Sequence, residues 1–369
     1  MQVCKRCLMD ESDVNIRFTE EGFCNHCETS IQRWQSEEFQ NKAQIKWTLE
    51  KSLEKIKKAG QGKEYDCIIG LSGGVDSTYV AYLVKKEFGL RPLAVHLDNG
   101  WNSELAVRNI DKILDRLEID LITDVLDWDE FKSLQRAFLK ASVIDMELLT
   151  DHAIGVALWK VSKQFNIPYF ISGFNFQSEN IMPPSWSYPY KMDSLNIKDI
   201  NKKFGDIKKF HSFRFLNFRE FFSFGKNQMT LFPILNFVDY EKAKAIEIIT
   251  RELGWRNYGN KHDESVFTKF YQDILLLEKF GIDKRKAHYS SLICTGQIAR
   301  EEALDKIKHP PLTPEARVRS IDYVRKKLDI GRDEFESILA SPPRSHWDFA
   351  SYAKNKQRVG NWLRKLKLR

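Results

Sequence analysis

Four of the six cysteines crowd the start of the chain, Cys4, Cys7, Cys24 and Cys27, in the pattern C-x2-C-x16-C-x2-C. A two-residue gap turns both sulfurs of a knuckle toward one ion, and two knuckles close a tetrahedron with metal–sulfur distances of about 2.3 Å. Lys5 and Arg6 sit in the first knuckle, where they offset the charge that four thiolates leave on a divalent ion. A shell closed by four sulfurs leaves no position for water. The expectation is therefore a structural Zn2+ that staples a module of about 30 residues, too small to hold itself together otherwise. His26 is an alternative ligand and a disulfide pair an alternative use, the latter disfavoured by the reducing cytoplasm expected for this chain. Cys67 lies in an apolar run and reads as a core residue. Cys294 reads as a buried residue near a helix end.

A second pattern is sharper. The apolar run Cys67-Ile68-Ile69 leads into Gly70-Leu71-Ser72-Gly73-Gly74-Val75-Asp76-Ser77, and the helical stretch Thr78-Tyr79-Val80-Ala81-Tyr82 follows. Strand, glycine turn and helix start together aim backbone amides at an anion, helped by the positive end of the helix. Ser72 and Ser77 add hydroxyls, and Asp76 offers a carboxylate suited to a phosphate-bound Mg2+. A Walker A loop is excluded because no Gly-Lys-Ser/Thr follows at its spacing. A nucleophile elbow matches by letter, yet only a charged helical stretch over 45–58 precedes the turn, not the several strands that an α/β-hydrolase requires. Ser72-Gly73-Gly74-Val75-Asp76-Ser77 resembles the signature loop of PP-loop ATP pyrophosphatases at every defined position.

Such a loop must be held by a sheet. Arg91 to Trp101 reads as a second parallel strand ending in a polar turn, and Tyr169 to Gly173 as a later strand running into Phe174-Asn175-Phe176. Strands alternating with helices predict an α/β, doubly wound, mainly parallel sheet with ligands at its carboxyl ends. The resemblance to PP-loop enzymes implies that Leu97, Asp98 and Asn99 line the nucleotide, with Gly173 and Asn175 beside it. Asn175 reads equally well as a helix cap. The domains expected are a zinc module (1–35), a helical linker (36–62), the PP-loop domain (63–255) and a helical C-terminal region (256–369).

Two polar blocks lie in that last region. Lys261, Glu264, Ser265 and Thr268 fall at helical spacing, so one turn could present an amine, a carboxylate and two hydroxyls together. Lys284, Arg285 and Lys286 supply clustered cations, read either as phosphate-steadying groups or as a solvated basic turn. A phenylalanine-dense segment over 204–224 reads as core, lid or partner surface. The chain carries 58 Lys plus Arg against 51 Asp plus Glu, net +7, and residues 344–369 hold that whole excess. The basic charge thus describes a tail, read as a solvated helix or as a contact for an acidic partner protein, an anionic membrane surface or RNA, and not a nucleic-acid-binding face covering the whole protein. No apolar run approaches a membrane span.

Taken together, Cys4 to Asp10 with Cys24 and Cys27, the 72–77 loop, Gly259 to Ser265, Phe280 to His288 and Lys326 to Ile330 resemble the N-acetyl sugar amidotransferase family of O-antigen and flagellin-sugar biosynthesis. The resemblance implies ATP and Mg2+ as cofactors and an acetamido sugar, nucleotide-linked, as substrate. Its carbonyl oxygen would be adenylated and replaced by ammonia-derived nitrogen. Asp76, Lys261, Glu264, Lys284 and Arg285 would carry that chemistry. No glutaminase nucleophile is recognisable, because Gln2 follows Met1 and neither Cys67 nor Cys294 lies in a nucleophile turn. A separate glutaminase and cyclase pair is therefore expected to supply ammonia. A homodimer is left open, as is which sugar reacts. The rival reading is a PP-loop tRNA sulfurtransferase, disfavoured because no C-x-x-C pair follows the loop.

Overall fold

The computed structural model describes residues 2–224, 229–259 and 264–355, with the side chains of 222–224 excepted. Lys261 and the tail beyond 355 lie outside the described residues. Five strands form one sheet: β1 (Cys67–Gly70), β2 (Pro92–Asp98), β3 (Asp120–Val125), β4 (Tyr169–Ser172) and β5 (Thr230–Pro233). Their order is β3-β2-β1-β4-β5 and every pairing is parallel. This is the doubly wound sheet that the alternating pattern predicts.

Helices cover both faces, so the strands read as continuous apolar runs. Ile69 of β1 and Ala94 of β2 pack against one layer, with Val80, Ile110 and Ile249. Their neighbours Ile68, Leu93 and Val95 point the other way, onto Leu158 and Val161. In chain order, α1 (Asn25–Trp34) follows the second cysteine knuckle and α2 (Lys42–Ala59) leads to the sheet. Helices α3 (Val75–Tyr82) and α4 (Glu104–Leu117) supply the first layer. In α4, Ala106, Ile110, Ile113 and Leu117 recur at helical spacing, and the Ser103 side chain caps its start by accepting from Ala106 N. Helices α5 (Trp128–Ala141) and α6 (Leu148–Phe165) come next, α6 lying on the second face. Helix α7 (Lys242–Leu253) returns to the first face and stops at Gly254, whose φ of 65° suits a glycine terminator.

A further core joins the cysteine module to α5 and to the C-terminal helices, including α8 (Arg285–Cys294). Within the phenylalanine-dense segment Phe213 is buried in this core and Phe210 and Phe215 pack against it, whereas Phe218 is half exposed. Among the described residues no helix is long and apolar enough to cross a membrane.

Glu130 ties the same segment down. Its carboxylate accepts hydrogen bonds from His211 N, from Ser212 N and Phe213 N at 3.0 and 2.9 Å, and from Ser212 Oγ at 2.8 Å. Burial pushes this carboxyl up, but the donors outweigh it and hold it below the usual glutamate value. Glu130→Ala leaves the buried Phe213 N–H and its part-buried neighbours without their acceptor and is expected to cost about 3 kcal/mol, read as a shift in the denaturant midpoint. A depressed carboxyl stabilises the fold above the unfolded glutamate pKa. The gap between the two proteins should therefore narrow as pH falls below about 4.

Candidate active site

The carboxyl ends of β1 and β4 flank the point where strand order reverses, the place where open α/β sheets bind ligands. The turn after β1 is built tightly. Gly73 has φ of 78°, and a Cβ there would lie 2.6 Å from the Ala106 carbonyl oxygen of α4. Its own carbonyl accepts from Trp255 Nε1 at 2.9 Å. A Cβ on Gly74 would meet the Tyr258 hydroxyl at 3.0 Å, and one on Gly173, after β4, would meet the Asp76 backbone carbon at 3.2 Å. Ser77 Oγ lies 3.1 Å from Ser72 Oγ and accepts from Ser72 N at 3.3 Å. Both hydroxyls thus stand at the mouth of the turn, Ser72 ahead of α3 and Ser77 in its first turn.

This turn opens into a cavity of ≈ 270 Å³ whose wall includes Ser72, Gly74, Asp76, Ser77, Gly173 and Lys242. Asp76, Glu179 and Glu264 place three carboxylates on the same wall. Three carboxylates around an anion-binding turn would repel phosphate unless a cation lay between them. Hard oxygen donors of this kind suit Mg2+. The Tyr240 hydroxyl donates to Asp76 Oδ1, and burial together with that carboxylate pushes the phenol well above its ordinary range, so it stays a donor.

Ser72, Ser77 and Glu264 also line an adjoining cavity of ≈ 380 Å³ that runs along the ends of β1 and β2, past Leu97 and Asn99. Its apolar wall includes Val95, Ile154, Leu158 and Phe170, and its polar groups include His96 and Asn102. A slot with one apolar wall beside a phosphate turn fits a nucleoside. His96 is fixed within it: Nδ1 lies 2.8 Å from the Leu71 carbonyl and Nε2 lies 3.0 Å from Asn102 Nδ2, so Nδ1 carries the proton. Asp98 does not line this cavity. It shapes the turn, accepting from Gly100 N at 2.9 Å.

On the other side, Asp76, Lys242 and Gly259 join the phosphate turn to the largest of these cavities, ≈ 680 Å³, with Lys284, Arg285, His288, Lys306 and His309 on its wall. Asn175 both caps a short helix, accepting from Ser178 N at 2.9 Å, and faces this cavity. Its Nδ2 is buried without a partner among the described residues. Arg285 is already engaged: Nε and Nη2 donate to Asp283 at 2.9 and 2.7 Å, and Nη1 donates to the His309 carbonyl at 2.9 Å. The helical presentation expected for 261–268 is corrected over its described part, 264–268. Ser265 is the cap of a helix that begins at Val266, and Glu264 lies in the turn before it, bridged to the 102–103 segment. Glu264 and Thr268 still meet at the nucleoside slot. Tyr240, Lys242, Tyr258 and Glu147 carry no motif and were not anticipated. Only the adjacency of Tyr258 to the Gly259 block offered a hint.

The four N-terminal sulfurs lie within 4.8 Å of one another, all buried, with Cys4–Cys27 at 3.7 Å and Cys7–Cys24 at 3.5 Å. These are far beyond a disulfide bond. A tetrahedron with arms of about 2.3 Å has edges of about 3.8 Å, so the sulfurs suit one metal ion and are too close for a multi-iron cluster. Backbone N–H groups of Arg6, Cys7 and Cys24 point at Cys4 Sγ at 3.2–3.5 Å, support that thiolates need. His26 turns away to Asp13, 2.6 Å distant. The module docks on α8 and the residues after it. Leu8 N donates to Ser290 Oγ at 3.0 Å, Lys286 pairs with Asp10, and Arg300 donates to the carbonyls of Cys4 and Cys7 at 3.0 and 3.3 Å.

Two family models match the chain: "LPS biosynthesis protein WbpG-like, C-terminal domain" over residues 264–364, and "NAD synthase" over residues 45–164. A curated protein of Methanocaldococcus jannaschii, itself uncharacterized, is 27% identical over 135 residues, covering 36% of this chain and 46% of that protein. The chain thus matches about half the length of that relative. Similar solved structures include NMN synthetase from Francisella tularensis (12% identity, 79% of this chain and 97% of that one, TM-score 0.36). Another is the U34-tRNA thiolase NcsA from Methanococcus maripaludis with its iron–sulfur cluster (15% identity, 85% and 90%, TM-score 0.32).

Proposed function

This chain is an N-acetyl sugar amidotransferase-like member of the PP-loop family of ATP-utilising enzymes, and from that premise we propose that it converts an acetamido group into an acetamidino group. The observation that carries the reading is the junction at Asp76 and Lys242. There the phosphate turn meets a large cavity whose wall carries Lys284 and Lys306 as well as Asp273 and Asp283, in a chain whose last third matches a lipopolysaccharide-biosynthesis model. An amide carbonyl is a poor electrophile because its oxygen is a poor leaving group. Transfer of AMP to that oxygen, with loss of the amide proton, makes it a good one and frees pyrophosphate.

In this reading the 72–77 turn holds the pyrophosphate, and Leu97 and Asn99 border the nucleoside. Lys284 and Lys306 offset the charge of a nucleotide-linked sugar in the large cavity. Asp76, with Glu179 and Glu264, would hold Mg2+, which supplies charge neutralisation between phosphates when bound. Tyr240 keeps Asp76 oriented. The cysteine module would hold Zn2+ in a structural role, supported by sulfur spacings that suit a single ion. Ammonia would come from a separate glutaminase and cyclase pair, and the product would enter an O-antigen or flagellin glycan.

The test is mass spectrometry of UDP- or CMP-linked diacetamido sugars incubated with the purified chain, ATP, Mg2+ and ammonium. The expected product is lighter by the difference between an oxygen and an NH group, with AMP and pyrophosphate formed in equal amounts. Glutamine should replace ammonium only when a glutaminase is added. ATP consumption without a sugar product, across the panel, would reject the reading. A tRNA thiolation role is disfavoured by the remaining thiols: both are buried, and burial pushes Cys294 up to about 12 and Cys67 further still.

A further inference from the structure

We propose that a small acidic chamber around Glu147 binds ammonium, and that Glu147 is the base that turns it into ammonia for attack on the activated acetamido carbon. The inference rests on the amidation reading above. The chamber measures ≈ 170 Å³, too small for a nucleotide, and Asp145, Glu147, Asp151, Lys191, Thr268 and Lys284 face it. Glu147, Asp151 and Thr268 also line the nucleoside slot, while Lys284 and Gln272 also line the large cavity. The chamber therefore lies between the two spaces whose contents must react. Asp151, with 41% of its side chain exposed, marks its opening to solvent.

Three carboxylates here face two amines. Lys191 is occupied, pairing with Asp145 and with Asp151 at 3.0 Å. Lys284 forms no ion pair among the described residues. Glu147 accepts from Thr268 Oγ1 at 3.1 Å through Oε2, but Oε1 is buried with no partner among the described residues. An unmet carboxylate oxygen in a chamber one positive charge short of balance calls for a small cation with N–H donors. Two lysine amines on the wall disfavour a divalent ion. Burial, then the charge of Asp151, raises Glu147 to about 7, against the opposing pull of Lys284 and Thr268. A carboxyl so placed exchanges protons near neutral pH, as a general base must.

The step balances without an oxidant or reductant. Ammonium gives a proton to the Glu147 carboxylate, leaving neutral ammonia and a carboxylic acid. The ammonia lone pair forms a C–N bond to the O-adenylyl imidate carbon and the C–O bond to AMP breaks. One N–H proton moves to the imidate nitrogen, giving an amidinium ion and AMP, and Glu147 then releases its proton to water.

Hydroxylamine, uncharged at neutral pH, separates this role from a structural one. Glu147→Gln should lower ammonium-driven turnover about 10²-fold, while hydroxylamine-driven turnover by the same preparation falls only a few-fold. Equal losses with both nucleophiles, or no loss, overturn the proposal. If the native protein forms no amidine with either nucleophile, the amidation reading fails on its own. Crystals soaked in thallium(I), a stand-in for ammonium, then decide the chamber. A peak beside Glu147 supports it; an empty chamber, or a manganese(II) peak there in a parallel soak, rejects it.

Discussion

Asp76→Asn will yield a folded protein that turns over ATP about 10³-fold more slowly, because it removes the one negative charge set within the phosphate turn itself. The substitution changes little else. Asparagine has the same size, and its carbonyl oxygen can still accept from the Tyr240 hydroxyl that holds Asp76 Oδ1. The close passage of Gly173 beside the Asp76 backbone, where a Cβ would come within 3.2 Å, is untouched. Pyrophosphate release measured across a Mg2+ series, beside thermal unfolding of the same preparation, checks the expectation. Turnover close to native with an unchanged Mg2+ requirement would mean that the cation is held elsewhere.

If the cysteine module holds its metal as proposed, removing that ion should have the largest effect on stability. Binding of an ion by four thiolates contributes on the order of 10 kcal/mol to folding of small modules, more than the few apolar residues here can replace. The loss should also travel. Ser290, Lys286 and Arg300 contact Leu8, Asp10 and the carbonyls of Cys4 and Cys7. Chelation, or Cys7→Ser, is therefore expected to raise amide hydrogen exchange over 2–34 and over 285–300, while β1 to β4 stay protected. Metal analysis should return one zinc per chain. Unchanged exchange across α8 after complete metal loss would show that the module is an independent ornament.

How much of this was legible beforehand follows from how local each signal is. The phosphate turn and the cysteine knuckles are written in consecutive residues whose types have few other uses, so their shape could be read directly. The sheet was legible because burial on both faces leaves runs such as Cys67-Ile68-Ile69 without polar interruption. The 261–268 block misled for the opposite reason: its spacing matches a helix, yet Ser265 prefers to cap, bonding Thr268 N through its hydroxyl and leaving Glu264 in the preceding turn. Glu147, Tyr240 and Lys242 stayed invisible because nothing near them in the chain differs from ordinary surface or core composition. They become a site only when α6, α7 and the C-terminal helices converge.

The docking of the first thirty residues on residues 285–300 bears on how the protein is made. A ribosome adding 5–20 residues per second needs roughly 15–60 s to travel from Cys4 to Arg300. A metal can close the knuckles as soon as Cys27 has emerged, but Leu8 and Asp10 lack their partners Ser290 and Lys286 during that interval. The nascent chain must shield this side of the module until α8 is made, and any premature stop before α8 would leave it without those partners.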